Sequence, residues 1–172
     1  MRIGSKLISL GDSKHASVRP VTGDDERFLI AIYGSTRAEE LALTSWDEKQ
    51  RDAFIQMQYK AQQAHYREYY PVAEHMVILV DGVAAGRLYV AESEGEVRIL
   101  DITIDPEQRS SGIGTRIIRE LMAEAGANGK PVRIYVESFN RSLGLFERLG
   151  FVKSEENGFN YLMEWSASGA AR

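Results

Sequence analysis

Apolar positions along this chain change period several times, and each change marks an element. Thr22 to Asp24 offer N-cap side chains, and Phe28, Leu29, Ile32 and Tyr33 then recur at helical spacing. Glu39 to Leu43 reads as a short helical turn. A longer helix is expected over Trp46 to Tyr66, with Ser45 as its cap and Glu48 as the capping-box partner. Phe54, Met57, Ala61 and Ala64 line one face of it, Tyr66, Tyr69 and Tyr70 cluster at its end, and Pro71 stops the pattern.

After Pro71 the period becomes that of strands. His75 to Val80 is followed by Asp81-Gly82, a strong hairpin signal, and by a return strand over Ala84 to Ala91. Ser93 to Gly95 turn the chain again into a third strand, Glu96 to Ile104, which completes an antiparallel meander. Ile113, Ile117, Leu121 and Ala125 are four apart, so Ile113 to Ala127 is an amphipathic helix ended by Asn128-Gly129. Val132 to Val136 then runs as a strand that should lie parallel to the third meander strand. A helix over Asn140 to Leu149 with Gly150 at its C′ position follows. A last hairpin, Phe151 to Ser154 and Phe159 to Trp165, turns around Asn157-Gly158. Upstream, residues 1–15 read as a lead-in. Ala16 to Val21 reads as a short edge strand because Pro20 is tolerated there. Ser166 to Arg172 is a small-residue tail expected to be disordered.

These elements predict an α/β (α+β) protein: one mixed, mostly antiparallel twisted sheet of six to seven strands flanked by helices. At 172 residues the chain reads as a single domain, 1–172, with its core over about 16–165. The formal net charge of −4 gives no nucleic-acid or membrane footprint. The absence of cysteine excludes disulfides, thiol nucleophiles and cysteine metal ligands, and the three histidines, His15, His65 and His75, have no ligand spacing. No apolar run approaches the roughly 20 residues of a membrane span, and a cytoplasmic setting is expected.

The candidate chemistry lies in Asp105 to Gly114, D-P-E-Q-R-S-S-G-I-G, between the third meander strand and the amphipathic helix. Gly112 and Gly114 let the backbone approach an anion closely and reach φ > 0. The first amides of the following helix are unpaired and sit at the positive end of its dipole, so the turn suits a phosphate. It is neither a Walker loop, since no lysine follows Gly114, nor a dinucleotide fold, since meandering strands precede it.

Two segments together resemble the GCN5-related N-acetyltransferase (GNAT) superfamily. Arg109-Ser110-Ser111-Gly112-Ile113-Gly114 matches its R/Q-x-x-G-x-G/A signature, and Asn140 to Phe151 is similar to its N-x-x-x-x-x-Y-x-x-x-G-F segment. The resemblance covers roughly Ala16 to Trp165. It implies acetyl transfer from acetyl-CoA to a primary amine acceptor, small molecule or protein, by direct attack in a ternary complex. It also implies a V-shaped split between the third meander strand and Val132 to Val136. Ile102, Thr103 and Ile104 would line the pantetheine arm of coenzyme A, with an amide of a bulged strand polarising the thioester. Arg109, Ser110, Ser111, Gly112, Ile113, Gly114 and Thr115 would hold the pyrophosphate. Asn140 would cap the next helix and contact the coenzyme, and Phe146 would pack beside its sulfur. Arg109, Arg116 and Arg141 are candidates for extra positive charge, a solvated face being the plainer account of each. Dimers are common in the family.

Two residues depart from that pattern. Phe146 stands where a tyrosine often protonates the leaving thiolate, and Arg98 where many members carry a glutamate. Asp101, Tyr135 and Glu137 are the replacement candidates for proton transfer, although a structural role is the plainer account of each. Trp46, Tyr66, Tyr69, Tyr70, Glu39 and Glu40 would border the acceptor. The rival readings are a coenzyme-A-binding homologue without turnover, an acyltransferase for another acyl-CoA, and an interaction protein whose loop binds nothing.

Overall fold

The computed structural model describes residues 8–11 and 14–167, so residues 168–172 of the expected tail lie outside the described residues. Eight strands form one sheet: β1 (Ile8–Gly11), β2 (Lys14–Pro20), β3 (Glu74–Val80), β4 (Val83–Glu92), β5 (Val97–Ile104), β6 (Val132–Glu137), β7 (Val152–Asn157) and β8 (Asn160–Trp165). Their spatial order is β1-β2-β3-β4-β5-β6-β8-β7, and every pair is antiparallel except β5 with β6. Helices α1 (Glu26–Thr36), α2 (Ala38–Ala42) and α3 (Glu48–Tyr69) precede β3. Helix α4 (Ile113–Ala127) connects β5 to β6, and α5 (Leu143–Arg148) connects β6 to β7.

The sheet is the mixed, mostly antiparallel one expected, with one more strand. The addition is β1, four residues too short to stand out in the lead-in, which pairs Ile8 with Ala16. It also takes β2 off the sheet edge. Pro20 is tolerated there because β1 reaches only Lys14 to Ala16, so no outer ladder needs the amide that proline lacks. The Asp81-Gly82 hairpin forms with both residues at positive φ, 49° and 83°, as a type I′ turn requires. The last hairpin closes at Asn157 and Asn160, so its turn is Gly158-Phe159, one residue beyond the expected position. Helix α5 is also shorter than the Asn140 to Leu149 expected.

The two faces of the sheet differ in chemistry. On one, α4 buries Ile113, Ile117, Ile118, Leu121 and Ala125 against Leu88, Val90, Val97, Ile99, Val132 and Ile134. Each such large aliphatic side chain contributes about 1.5–3 kcal/mol by leaving water. On the other, covered by α1 and α3, the strands present Arg87, Asp101 and Thr103, and Arg87 is only 1% exposed. Helix α3 begins at Asp47, whose side chain accepts from the Gln50 amide in a capping box, not at Ser45. It buries Tyr59 and Gln63 and leaves Met57 57% exposed and Ala61 and Ala64 on the surface. The expected apolar stripe fails because the face this helix covers includes Asp101 and the buried Arg87 among its apolar residues. Among the described residues no helix is long and apolar enough to cross a membrane.

Candidate functional site

The parallel strands β5 and β6 meet over three rows only: Val97 with Val132, Arg98 with Arg133 and Ile99 with Ile134. Beyond Ile99 they part. Strand β5 stays with β4 as far as Gly86 and Ile104, while β6 stays with β8 as far as Glu137 and Asn160. The result is a fork in the sheet, open toward the carboxyl ends of both strands.

The backbone of β5 is re-aimed at the fork. The register between β4 and β5 slips between Tyr89 and Val90, because Leu100 is an extra residue: a β-bulge. Before it, the Val97 amide donates to Pro131, toward β6; after it, the Asp105 amide donates to Ala85, beyond the start of the β4 ladder. Alternation backwards from Asp105 places the main chain of Thr103 and Asp101 against β4 and that of Ile102 and Ile104 toward the gap. The Ile104 carbonyl accepts from Arg109 Nε at 3.0 Å, leaving the Ile102 amide and carbonyl and the Ile104 amide to line the fork. Opposite, β4 comes so close at Gly86 that a Cβ there would lie 2.6 Å from the Thr103 carbonyl oxygen.

At the open end of β5 the chain enters the glycine loop. Asp105 accepts from the Glu107 amide at 3.0 Å and starts a 3-10 turn, Pro106–Gln108. Ser110 and Gly112 then take positive φ, 62° and 80°, and Gly112 caps α4, its carbonyl accepting from the Arg116 amide at 3.0 Å. Two left-handed residues two positions apart turn the chain sharply here, so that successive amides can gather into a concavity suited to an anion. The amides of Ile113, Gly114 and Thr115 have no acceptor within their own helix. The two glycines are not equivalent. Gly112 is required by its φ, whereas a Cβ at Gly114 would sit 3.6 Å from the Ile104 side chain, an ordinary contact. The loop from Pro106 to Gly112 is exposed.

Behind the bulge lies a polar layer. Arg87 bonds to Asp101 and, at 2.8 Å, to Gln62 of α3. Its guanidinium also lies over the rings of Tyr33 and Tyr59, at 5.9 and 5.8 Å. Thr103 donates to the other Asp101 oxygen at 2.7 Å, and the Tyr66 hydroxyl donates to the Leu100 carbonyl at 3.0 Å. Tyr66 packs on Tyr89, with ring centroids 4.9 Å apart, and His75 stacks on the same Tyr89 at 4.4 Å. Burial pushes the Tyr66 phenol well above its usual range, helped by the Asp101 charge. Burial also pushes the His75 imidazole down to about 4, with Arg87 acting in the same direction. A charged residue inside the apolar run Ala84 to Ala91 was the one sequence signal for this layer.

The candidate residues fall into distinct places. Asp101 has both carboxylate oxygens engaged, so it is a strut of the polar layer and not a free base. Tyr135 and Glu137 share one face of β6, and both are exposed. Tyr135 is the first β6 residue past the last row shared with β5, which puts it at the apex of the fork. The Arg98 guanidinium lies 5.2 Å from the centre of its ring and is tied at 2.9 Å to Glu96, which also binds Arg133. Phe146 corrects an expectation: it is 1% exposed and packs edge-on against Phe151 in the core, so its ring is not available beside a sulfur in the fork. Asn140 is exposed and accepts from the Ser142 amide at 2.9 Å, capping the turn before α5. Arg141 pairs with Glu39 across 3.3 Å at the surface, and Trp46 packs on Phe54. Among the described residues no three His, Cys, Asp or Glu side chains are grouped to hold a metal.

Comparison with known proteins bears on what this arrangement is. Residues 37–151 match the model of the Acetyltransferase (GNAT) family. No curated protein matches the sequence. Several solved structures share the fold. PaiA N-acetyltransferase from Thermoplasma acidophilum, solved in complex with coenzyme A, aligns with a TM-score of 0.66 at 17% identity, over 87% of this chain and 97% of that one. An acetyltransferase from Thermus thermophilus aligns at 0.61 and 15%, over 87% and 96%. Ard1 from Thermoplasma volcanium aligns at 0.55 and 20%, over the same 87% and 96%.

Proposed function

Because this chain belongs to the GNAT acetyltransferase family, we propose that it moves an acetyl group from acetyl-CoA to a primary amine by direct attack in a ternary complex. The single observation that supports this reading most is the juxtaposition of two features on β5. The strand borders a fork with unpaired main-chain groups and then runs straight into a loop whose amides converge for an anion.

Coenzyme A has one group for each feature, and the residues fit it. Its diphosphate suits the amides from Ser110 to Thr115 at the start of α4. Its pantetheine amides suit the free edge of β5 at Ile102 and Ile104, which pair as an added strand would. When bound, it supplies an activated acetyl thioester. The Ile102 amide, the first on β5 to face the fork beyond the bulge, is placed to donate a hydrogen bond to an oxygen there as negative charge develops. Tyr135 at the apex offers a phenol as proton donor, under the positive charge of Arg98, and Glu137 two residues on offers a carboxylate that accepts a proton from an amine directly or through water. Amine attack on a thioester depends mainly on positioning and carbonyl polarisation.

A second reading is favoured by the burial of Phe146 and by the occupied carboxylate of Asp101: a protein that binds the coenzyme but does not turn it over. Two measurements separate them. Acetyl-CoA at 100 times its Kd should stabilise the protein by about 2.7 kcal/mol in thermal unfolding. Thiol release from acetyl-CoA, followed over a panel of primary amines, should exceed the background without protein. Stabilisation without thiol release supports the second reading, and neither effect removes both.

A further inference from the structure

A β-bulge leaves an extra residue without a place in the ladder, and something must hold it. Here that residue is Leu100, and its carbonyl accepts from the hydroxyl of Tyr66, a residue 34 positions earlier on α3. The next residues are fixed from the same side. Asp101 is bound by Arg87 and Thr103, and Arg87 is anchored in turn to Gln62 on α3, one helical turn before Tyr66. So helix α3 reaches the bulge at two points, directly through Tyr66 and through Gln62 and Arg87. The sequence placed Tyr66 at the acceptor, yet its hydroxyl is committed to the main chain.

Resting on the acetyl-transfer reading above, we propose that Tyr66 is a positioning residue for the reaction: by holding the Leu100 carbonyl, it fixes the bulge that turns the Ile102 amide into the fork. The bulge reverses which residues of β5 face β6. Without it, the main-chain parity running from Val97 would direct the Ile102 amide toward β4 and the Asp101 amide into the fork in its place. A donor aimed at developing charge is effective only where its direction is fixed in advance. The Tyr66 ring is itself held by Tyr89, and its buried phenol stays protonated, so the hydroxyl remains a donor throughout the neutral range.

The test is Tyr66→Phe, which removes one oxygen and keeps the ring, read by infrared difference spectroscopy with acetyl-CoA labelled at the thioester carbonyl. In the wild type the bound carbonyl stretch should lie below its frequency in solution. In Tyr66→Phe it should move back toward the solution value, with kcat down about tenfold, a fraction of the roughly 100-fold loss expected when such a donor is deleted outright. The Kd for free coenzyme A, which has no such carbonyl, should stay within about twofold. Thr103→Val, which frees one Asp101 oxygen, should move the stretch in the same direction by less, and it serves if Tyr66→Phe does not fold. An unchanged carbonyl stretch overturns the proposal whether or not kcat falls, because a purely structural or acceptor-contacting tyrosine would leave the stretch alone. If the wild type itself does not bind acetyl-CoA, the acetyl-transfer reading falls and this proposal with it.

Discussion

Ile99 and Ile134 are the last residues of β5 and β6 to face each other, and the sheet divides immediately beyond them. Both side chains lie in the core beneath α4, so the fork begins where apolar packing is already complete. Its walls are held from outside, by β4 on one side and β8 on the other. The gap therefore does not depend on a ligand to keep it open.

Gly112 separates binding from folding. A Cβ there meets nothing within 4 Å, but φ of 80° is strained for any residue with a side chain. Gly112→Val should cost about 1–2 kcal/mol in stability. It should also weaken coenzyme A binding by at least about 100-fold, some 2.7 kcal/mol, because the side chain fills the space the amides face. Calorimetric titration measures the affinity, and circular dichroism checks that the fold is kept.

Asp101 should matter more for stability than an exposed acid does. Its removal leaves Arg87, 1% exposed, with Gln62 as its remaining hydrogen-bond partner among the described residues. Asp101→Ala should cost about 3–5 kcal/mol, the usual penalty for orphaning a buried charge, which is on the order of 10 °C in Tm. Asp101→Asn keeps an acceptor and should cost less. Thermal melts of the two variants and the wild type give the ranking.

The buried His75 gives stability a pH dependence of defined sign. Its imidazole titrates at about 4 in the folded protein and near 6.5 when unfolded. The unfolded chain therefore takes up a proton first as pH falls, and the native state is penalised. The stabilisation is fully present above about 6.5 and is lost as pH falls toward 4. Arg87 and Arg67 hold the group down, while Asp101 and Asp25 oppose them. Urea unfolding at pH 7 and pH 5 should show a drop in the wild type that His75→Gln largely lacks.

Tyr135 and Glu137 test the proton route. Tyr135→Phe should lower kcat by about 100-fold and leave the Kd for acetyl-CoA unchanged, the mark of a group that acts in the transition state. Glu137→Gln should lower kcat in the same direction, again with the Kd for acetyl-CoA unchanged. If neither variant changes turnover, water carries the protons and positioning alone supplies the catalysis.

What the sequence revealed, and what it hid, follows from the range of the interactions involved. The glycine loop was legible because Gly112 and Gly114 sit between an apolar strand and a periodic helix, all within one continuous segment. The α4 face was legible for the same reason. The bulge at Leu100 was not, since a register slip depends on how two strands pair, and Leu100 itself looks like any strand residue. The motif's spacing places Phe146 at the fork, but the short α5 turns its ring into the core against Phe151. The stripe expected on α3 failed because a hydrophobic count does not reveal that the opposing surface contains Arg87 and Asp101. Tyr66 stands out as an aromatic, but its partner lies 34 residues away on a strand whose geometry the sequence does not show.

The most direct test of the account is a crystal structure of this protein with coenzyme A. The diphosphate should lie on the amides of Ser110 to Thr115 and the pantetheine arm between β5 and β6, hydrogen-bonded to the main chain at Ile102 and Ile104. A diphosphate bound elsewhere, or β5 and β6 paired past Ile99 and Ile134 with no arm between them, contradicts it.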